Sequence, residues 1–183
     1  MTKSKGWDEA HLSEDPAVEL LQELGYSYVD PETLEAERDS LKEIALTERL
    51  VTALRKLNPW LSDANVTKAI KAVTNVPAAS LTEANKDLYV SLTYGISLEQ
   101  DRGGGKKGHT VHFFDFETPK NNEFIVTRQY KVLGTKKHII PDIVVLVNGI
   151  PLVVIECKSP TIGDKWRSEA IRQLHPGFVF FAT

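Results

Sequence analysis

Cysteine is nearly missing from this sequence: Cys157 stands alone among 183 residues. No internal disulfide can form, so a chain of this length must rest on its own apolar core, as suits a reducing compartment. Long apolar runs are missing too. Nothing approaches the roughly 18 residues that a membrane helix needs. The opening MTKSKGWDEAHLSEDP lacks the pattern of a signal peptide. The expectation is a cytoplasmic protein without membrane contact. His109, His112, His138 and His175 are too scattered to build a histidine metal cluster. A phosphate loop is also lacking, despite a near match. In GGGKKGHT, Gly103 and Gly108 have the spacing, but His109 and Thr110 stand where Lys and then Ser or Thr are needed. Asp101–Gly108 reads instead as a mobile, basic hairpin loop.

A charge excess of either sign is lacking as well. The net charge of −3 argues against a stand-alone electrostatic clamp on nucleic acid. The halves differ, however. Residues 1–100 hold 10 Lys/Arg and 17 Asp/Glu, a net −7, while residues 101–183 hold 12 and 8, a net +4. A polyanion would have to approach the second half. Apolar content of 42% fits a globular protein, and the length fits one domain. Residues 1–95 read as its mainly helical part and residues 96–183 as its sheet part.

What is present centres on Pro141–Ser159. Two β-branched runs, Ile143–Val147 and Leu152–Ile155, flank Asn148-Gly149. Such residues favour a pleated, packed surface, and Asn-Gly tolerates the positive φ of a tight hairpin turn. Asp142 opens the first run. Glu156 and Lys158 close the second and share one strand face, with Cys157 on the other. A clean two-residue turn would pair Val147 with Ile150 and put Asp142 and Glu156 on opposite faces. One extra residue in the turn, or a bulge next to Asp142, would bring them face to face. One of these is predicted. Two carboxylates on one face beside an ammonium suit a hard divalent cation such as Mg²⁺, which a substrate phosphate can approach. The lysine could orient a water or steady developing negative charge.

Earlier in the chain, Asp15-Pro16 starts a helix with Val18, Leu20, Leu21 and Leu24 on its apolar face, and Gly25 ends it. Pro31–Leu57 reads as one long helix or two shorter ones. Ser62–Val73 and Leu81–Leu92 are amphipathic helices, and Trp60 and Tyr89 read as core or rim residues. Thr110–Phe116 and Phe124–Val132 are strands by composition, joined by a polar loop. Asp164–Leu174 reads as a helix and Phe178–Phe181 as a last strand.

The residues Pro141-Asp142 and Glu156-Cys157-Lys158 resemble the PD-(D/E)xK nuclease motif. More narrowly, PDIVVLVNGIPLVVIECKSP is similar to the endonuclease segment of the R (restriction) subunit of type I restriction-modification enzymes. The NG-x-P turn and the Ser-Pro after Lys158 carry that narrower likeness. FFDFETPKNNEFIVTRQY and the early ELGY extend it from about Ser13 to Gln173. The resemblance implies an α/β fold with a restriction-endonuclease-like mixed sheet, flanking helices and a helical N-terminal part. It implies Mg²⁺-dependent hydrolysis of double-stranded DNA, with Asp142, Glu156 and Lys158 catalytic. Asp142, Glu156 and the backbone carbonyl of Cys157 would be metal ligands, joined by Glu14 or, second, Glu19. It implies a supporting role for Gln173, although Gly177 stands where the family has Tyr. Lys136, Lys137, His138 and Lys165 are candidates for DNA-backbone contact. The resemblance further implies the N-terminal fragment of a motor subunit that uses ATP only at full length. Its expected partners are specificity and modification subunits. The alternatives are another PD-(D/E)xK nuclease, such as a junction resolvase or RecB-like exonuclease, and a non-catalytic DNA- or subunit-binding module.

Overall fold

The computed structural model describes residues 13–134 and 138–157. Five helices and eight strands follow one another over these residues: α1 Asp15–Glu23, β1 Ser27–Tyr28, α2 Pro31–Ala36, α3 Thr47–Leu57, α4 Asp63–Thr74, α5 Leu81–Tyr94, β2 Ile96–Asp101, β3 Lys106–Val111, β4 Phe124–Arg128, β5 Val132–Leu133, β6 His138–Ile139, β7 Ile143–Val147 and β8 Ile150–Ile155. The expected α/β class with a mixed sheet holds. The main sheet runs β1-β4-β7-β8, with β1 parallel to β4 and the other pairs antiparallel. β2 and β3 form a separate hairpin, as do β5 and β6.

All five residues of β7 are buried, because both faces of the sheet are covered. Strand alternation sorts them. Val144 and Leu146 join Leu34, Leu46, Ile125 and Tyr130 on one face, whereas Ile143 joins Val18 of α1, Val126 and Cys157 on the other. Each such burial is worth roughly 1.5–3 kcal/mol, so a one-residue slip of β7 would exchange both faces at once. A third cluster gathers Leu50, Leu54, Val66, Ala69 and Leu88 of α3 to α5 with Val111, Phe113, Val147 and Ile150. It covers the turn end of the β7–β8 hairpin.

Pro31–Leu57 resolves into two helices rather than one. The intervening segment is held by Arg38, a buried residue whose guanidinium donates to the carbonyls of Leu34 (3.3 Å), Glu43 (3.2 Å) and Lys131 (2.9 Å). It also lies 4.3 Å from the centre of the Tyr130 ring. Thr110–Phe116 is a strand only through Val111. Beyond it the chain turns through Asp115, whose Oδ1 accepts from the backbone N–H groups of Glu117 and Thr118 at 3.1 and 2.8 Å. Short polar side chains often outcompete a ladder in this way. α1 begins as expected, but Asp15 does not cap it: its carboxylate lies 2.6 Å from Nη2 of Arg128. Trp60 is half-buried against the α3–α5 cluster, while Tyr89 is exposed. No described helix is long and apolar enough to cross a membrane. The Asp164–Leu174 helix and the Phe178–Phe181 strand lie outside the described residues.

Candidate active site

The β7–β8 hairpin sets the register of the acidic pair. Asn148 (φ 52°) and Gly149 (φ 81°) form a tight turn, and Val147 pairs with Ile150. Leu146 pairs with Pro151 but Val145 with Val153, so Leu152 is an unpaired bulge residue. The ladder then continues from Val144–Val154 to its last pair, Ile143–Ile155, and the same register carried one residue further would set the backbone of Asp142 against that of Glu156. The extra residue is neither in the turn nor beside Asp142, the two places expected for it.

The reason is packing at the turn. The carbonyl of Gly149 accepts from Leu46 N–H at 2.8 Å, and a Cβ on Gly149 would stand 2.6 Å from the Leu46 carbonyl oxygen. Asn148 is buried and fully engaged. Its side chain accepts from Glu123 N–H (2.8 Å) and donates to Phe113 O (2.8 Å) and Asn122 Oδ1 (2.9 Å), while its own N–H donates to Glu123 O (2.9 Å). A turn clamped on every side has no room for another residue. Pro151, which has no N–H for a ladder, lets the irregularity settle at the next position.

At the open end of the hairpin the backbone of Cys157 donates to Oδ2 of Asp142 at 2.7 Å. The carbonyl of Asp142 accepts from Gln129 N–H at 3.0 Å. The Cys157 side chain is buried with Val18, Val126 and Ile143, so its sulfur belongs to the core, as expected. The side-chain and backbone donors at this end are hard oxygens: the carboxylates of Asp142 and Glu156 and backbone carbonyls. That donor set fits a small hard cation rather than a thiophilic one. Among the described residues, no three His, Cys, Asp or Glu side chains gather as a metal-holding group.

The remaining expected residues divide by position. Glu14 is buried at the start of α1, and Glu19 is exposed. Asp15, next to Glu14, is tied to Arg128, whose backbone pairs with Ile143 beside Asp142. The first turn of α1 therefore sits at the sheet end that carries Asp142. His138 is exposed in β6. Lys136, Lys137, Lys158, Lys165 and Gln173 lie outside the described residues.

The glycine loop at Arg102–Gly105 is organised from within. Asp101 Oδ1 accepts from the backbone N–H groups of Gly103, Gly104 and Gly105 at 2.8, 3.2 and 3.1 Å. Those bonds, Gly103's first, hold its carboxyl below the usual range. The N–H groups that a phosphate loop would offer are already engaged. Val111, at the foot of this hairpin, packs with Val147 and Ile150 at the turn end, away from the acidic pair.

Sequence reasoning missed three features. One is the Asn148–Asn122–Asp115 network, in which Asn121 Nδ2 donates to Asp115 Oδ2 at 2.7 Å and holds that carboxyl low. The second is Arg38. The third is the Asp15–Arg128 pair, which alternation along β4 could have flagged, since it puts Arg128 on the face of Val126, toward α1.

Fold and site together define a mixed α/β domain with an acidic pair at the open end of a central hairpin. The chain belongs to the family of type I restriction enzyme R protein N termini, whose family model matches residues 7–177. It is 35% identical over 159 residues to the putative type I restriction enzyme MjaIXP endonuclease subunit of Methanocaldococcus jannaschii, covering 84% of this chain and 15% of that protein. It is 34% identical over 153 residues to the type I restriction enzyme HindI endonuclease subunit of Haemophilus influenzae, covering 80% of this chain and 14% of that protein. The chain thus spans about one seventh of the length of these relatives.

Proposed function

We propose that this chain is the nuclease segment of a restriction subunit and hydrolyses phosphodiester bonds of double-stranded DNA. The observation that carries the reading is the bulge at Leu152, whose register, carried one residue past Ile143–Ile155, would set Asp142 against Glu156, together with the hydrogen bond from Cys157 N–H to the Asp142 carboxylate. A bulge that re-aims side chains beside a site is a built feature rather than a defect. The oxygen donor set supports Mg²⁺, which would be held by Asp142, Glu156 and the Cys157 carbonyl, with Glu14 as a further ligand and Glu19 as the second choice. When bound, Mg²⁺ would polarise the phosphoryl oxygen and neutralise developing charge. Asp142 and Glu156 fix where the phosphate can sit. Lys158 orients the attacking water and offsets charge on the phosphate. Gln173 would support this arrangement, and Lys136, Lys137, His138 and Lys165 are the proposed contacts to the DNA backbone.

The names of the relatives and their length support the wider assignment. On this reading the chain is the N-terminal part of a larger subunit whose ATP-driven translocase lies in other domains. Specificity and modification subunits supply sequence recognition. The test is plasmid cleavage by the assembled complex carrying Glu156→Ala or Lys158→Ala. The expected result is loss of cleavage with translocation kept. Cleavage at the wild-type rate in both variants would overturn the reading.

A further inference from the structure

Gln129 has φ 49°, a left-handed conformation that side chains other than Asn, Asp and Gly seldom adopt. Its exposed side chain does not explain this, because nothing is gained by burying it. Its neighbours do. Arg128 is tied on one side to Asp15 of α1 at 2.6 Å. Tyr130 on the other side is buried, donates its hydroxyl to the Ile44 carbonyl at 2.9 Å, and lies under the Arg38 guanidinium. The residue between these two anchors is forced through a tight change of direction. The outcome of that strain is one contact: Gln129 N–H meets the carbonyl of Asp142 at 3.0 Å. Strained backbone persists only where the surroundings over-determine it, and it clusters where geometry matters for function.

Resting on the proposed nuclease reading, we infer that Arg128 and Gln129 are positioning residues for Asp142. The Asp15–Arg128 ion pair and the buried Tyr130 hold Gln129 in its left-handed turn. Gln129 N–H then fixes the backbone of Asp142, and Cys157 N–H fixes its carboxylate. The ion pair is partly exposed, with side-chain accessibilities of 26% for Arg128 and 38% for Asp15. Such a pair contributes little to stability. Its value here is geometric: it joins α1, the end of β4 and Asp142 into one unit.

The test is calorimetric titration of the full chain with Mg²⁺, alongside thermal denaturation of each variant. Gln129→Gly keeps the N–H and tolerates φ 49°, so it should leave affinity at the wild-type value and the melting temperature equal or higher. Gln129→Val keeps the N–H but disfavours that φ and should weaken Mg²⁺ affinity several-fold. Arg128→Ala and Asp15→Asn should each weaken affinity by a similar factor, and the double variant by no more than either alone. A merely structural role would lower the melting temperature and leave affinity unchanged. Wild-type affinity in folded Gln129→Val and Arg128→Ala, with Asp142→Ala unable to bind, would overturn this inference and leave the nuclease reading standing. Wild-type affinity in Asp142→Ala would overturn both.

Discussion

The two ends of the β7–β8 hairpin are built differently. The turn end is buried and locked: Asn148 makes four hydrogen bonds to the chain around it, and Gly149 sits against Leu46 with no space for a methyl group. The open end is held by two backbone N–H groups on Asp142 and by neighbours that are partly exposed. Rigidity is invested where register is set, and solvent access is kept where chemistry would occur. The bulge at Leu152 transmits the decision from one end to the other.

That contrast can be broken by substitutions at either end. The largest effect is expected at the open end, on activity far more than on stability. Asp142→Ala or Glu156→Ala in the assembled complex should cut DNA cleavage by at least ~10³-fold, about 4 kcal/mol of transition-state stabilisation, while Asp142→Ala, which leaves Cys157 N–H without its acceptor, should cost only about 1–2 kcal/mol in stability. Plasmid cleavage and calorimetry check the two halves of that statement. At the turn end the effect should reverse. Asn148→Ala strands Glu123 N–H and the Phe113 carbonyl and should cost about 2–4 kcal/mol in urea denaturation. Gly149→Ala combines a φ of 81° with a 2.6 Å approach to the Leu46 carbonyl and should cost about 2–3 kcal/mol.

How far the sequence foretold this contrast depends on the kind of interaction. The apolar run Ile143–Val147 and the Asn-Gly turn were legible because each is a local pattern. The position of the bulge was not, because it depends on Leu46 lying against Gly149, a contact across about a hundred residues that no local pattern encodes. The break between α2 and α3 stood among the readings of Pro31–Leu57, but its place did not, because Arg38 looks like an ordinary helix residue until Lys131 and Tyr130 are packed against it. An extra residue in the hairpin was foreseen, but it lies at Leu152 rather than in the turn or beside Asp142.

A smaller effect should appear at high pH. Burial pushes the Tyr130 hydroxyl up to about 12, above the ordinary value of 10.0 that it regains on unfolding. The folded state thus favours the neutral phenol. Its contribution is fully present below pH 10 and is lost as pH rises toward 12, by roughly 2–3 kcal/mol across that window. Denaturation of wild type and Tyr130→Phe between pH 9 and 12 should show the wild type falling more steeply; parallel curves would contradict this. The smallest effect belongs to Arg55→Ala. Its partner Asp63 is largely exposed, so the pair should contribute under about 0.5 kcal/mol.

Mg²⁺ titration of the chain carrying Asp142→Asn, Glu156→Gln and both together probes the pairing of the two carboxylates most directly. Two side chains sharing one cation predict that each single change removes most of the affinity and that the second adds little further loss. Wild-type affinity in either single variant, or losses that simply multiply, would mean that Asp142 and Glu156 do not share an ion.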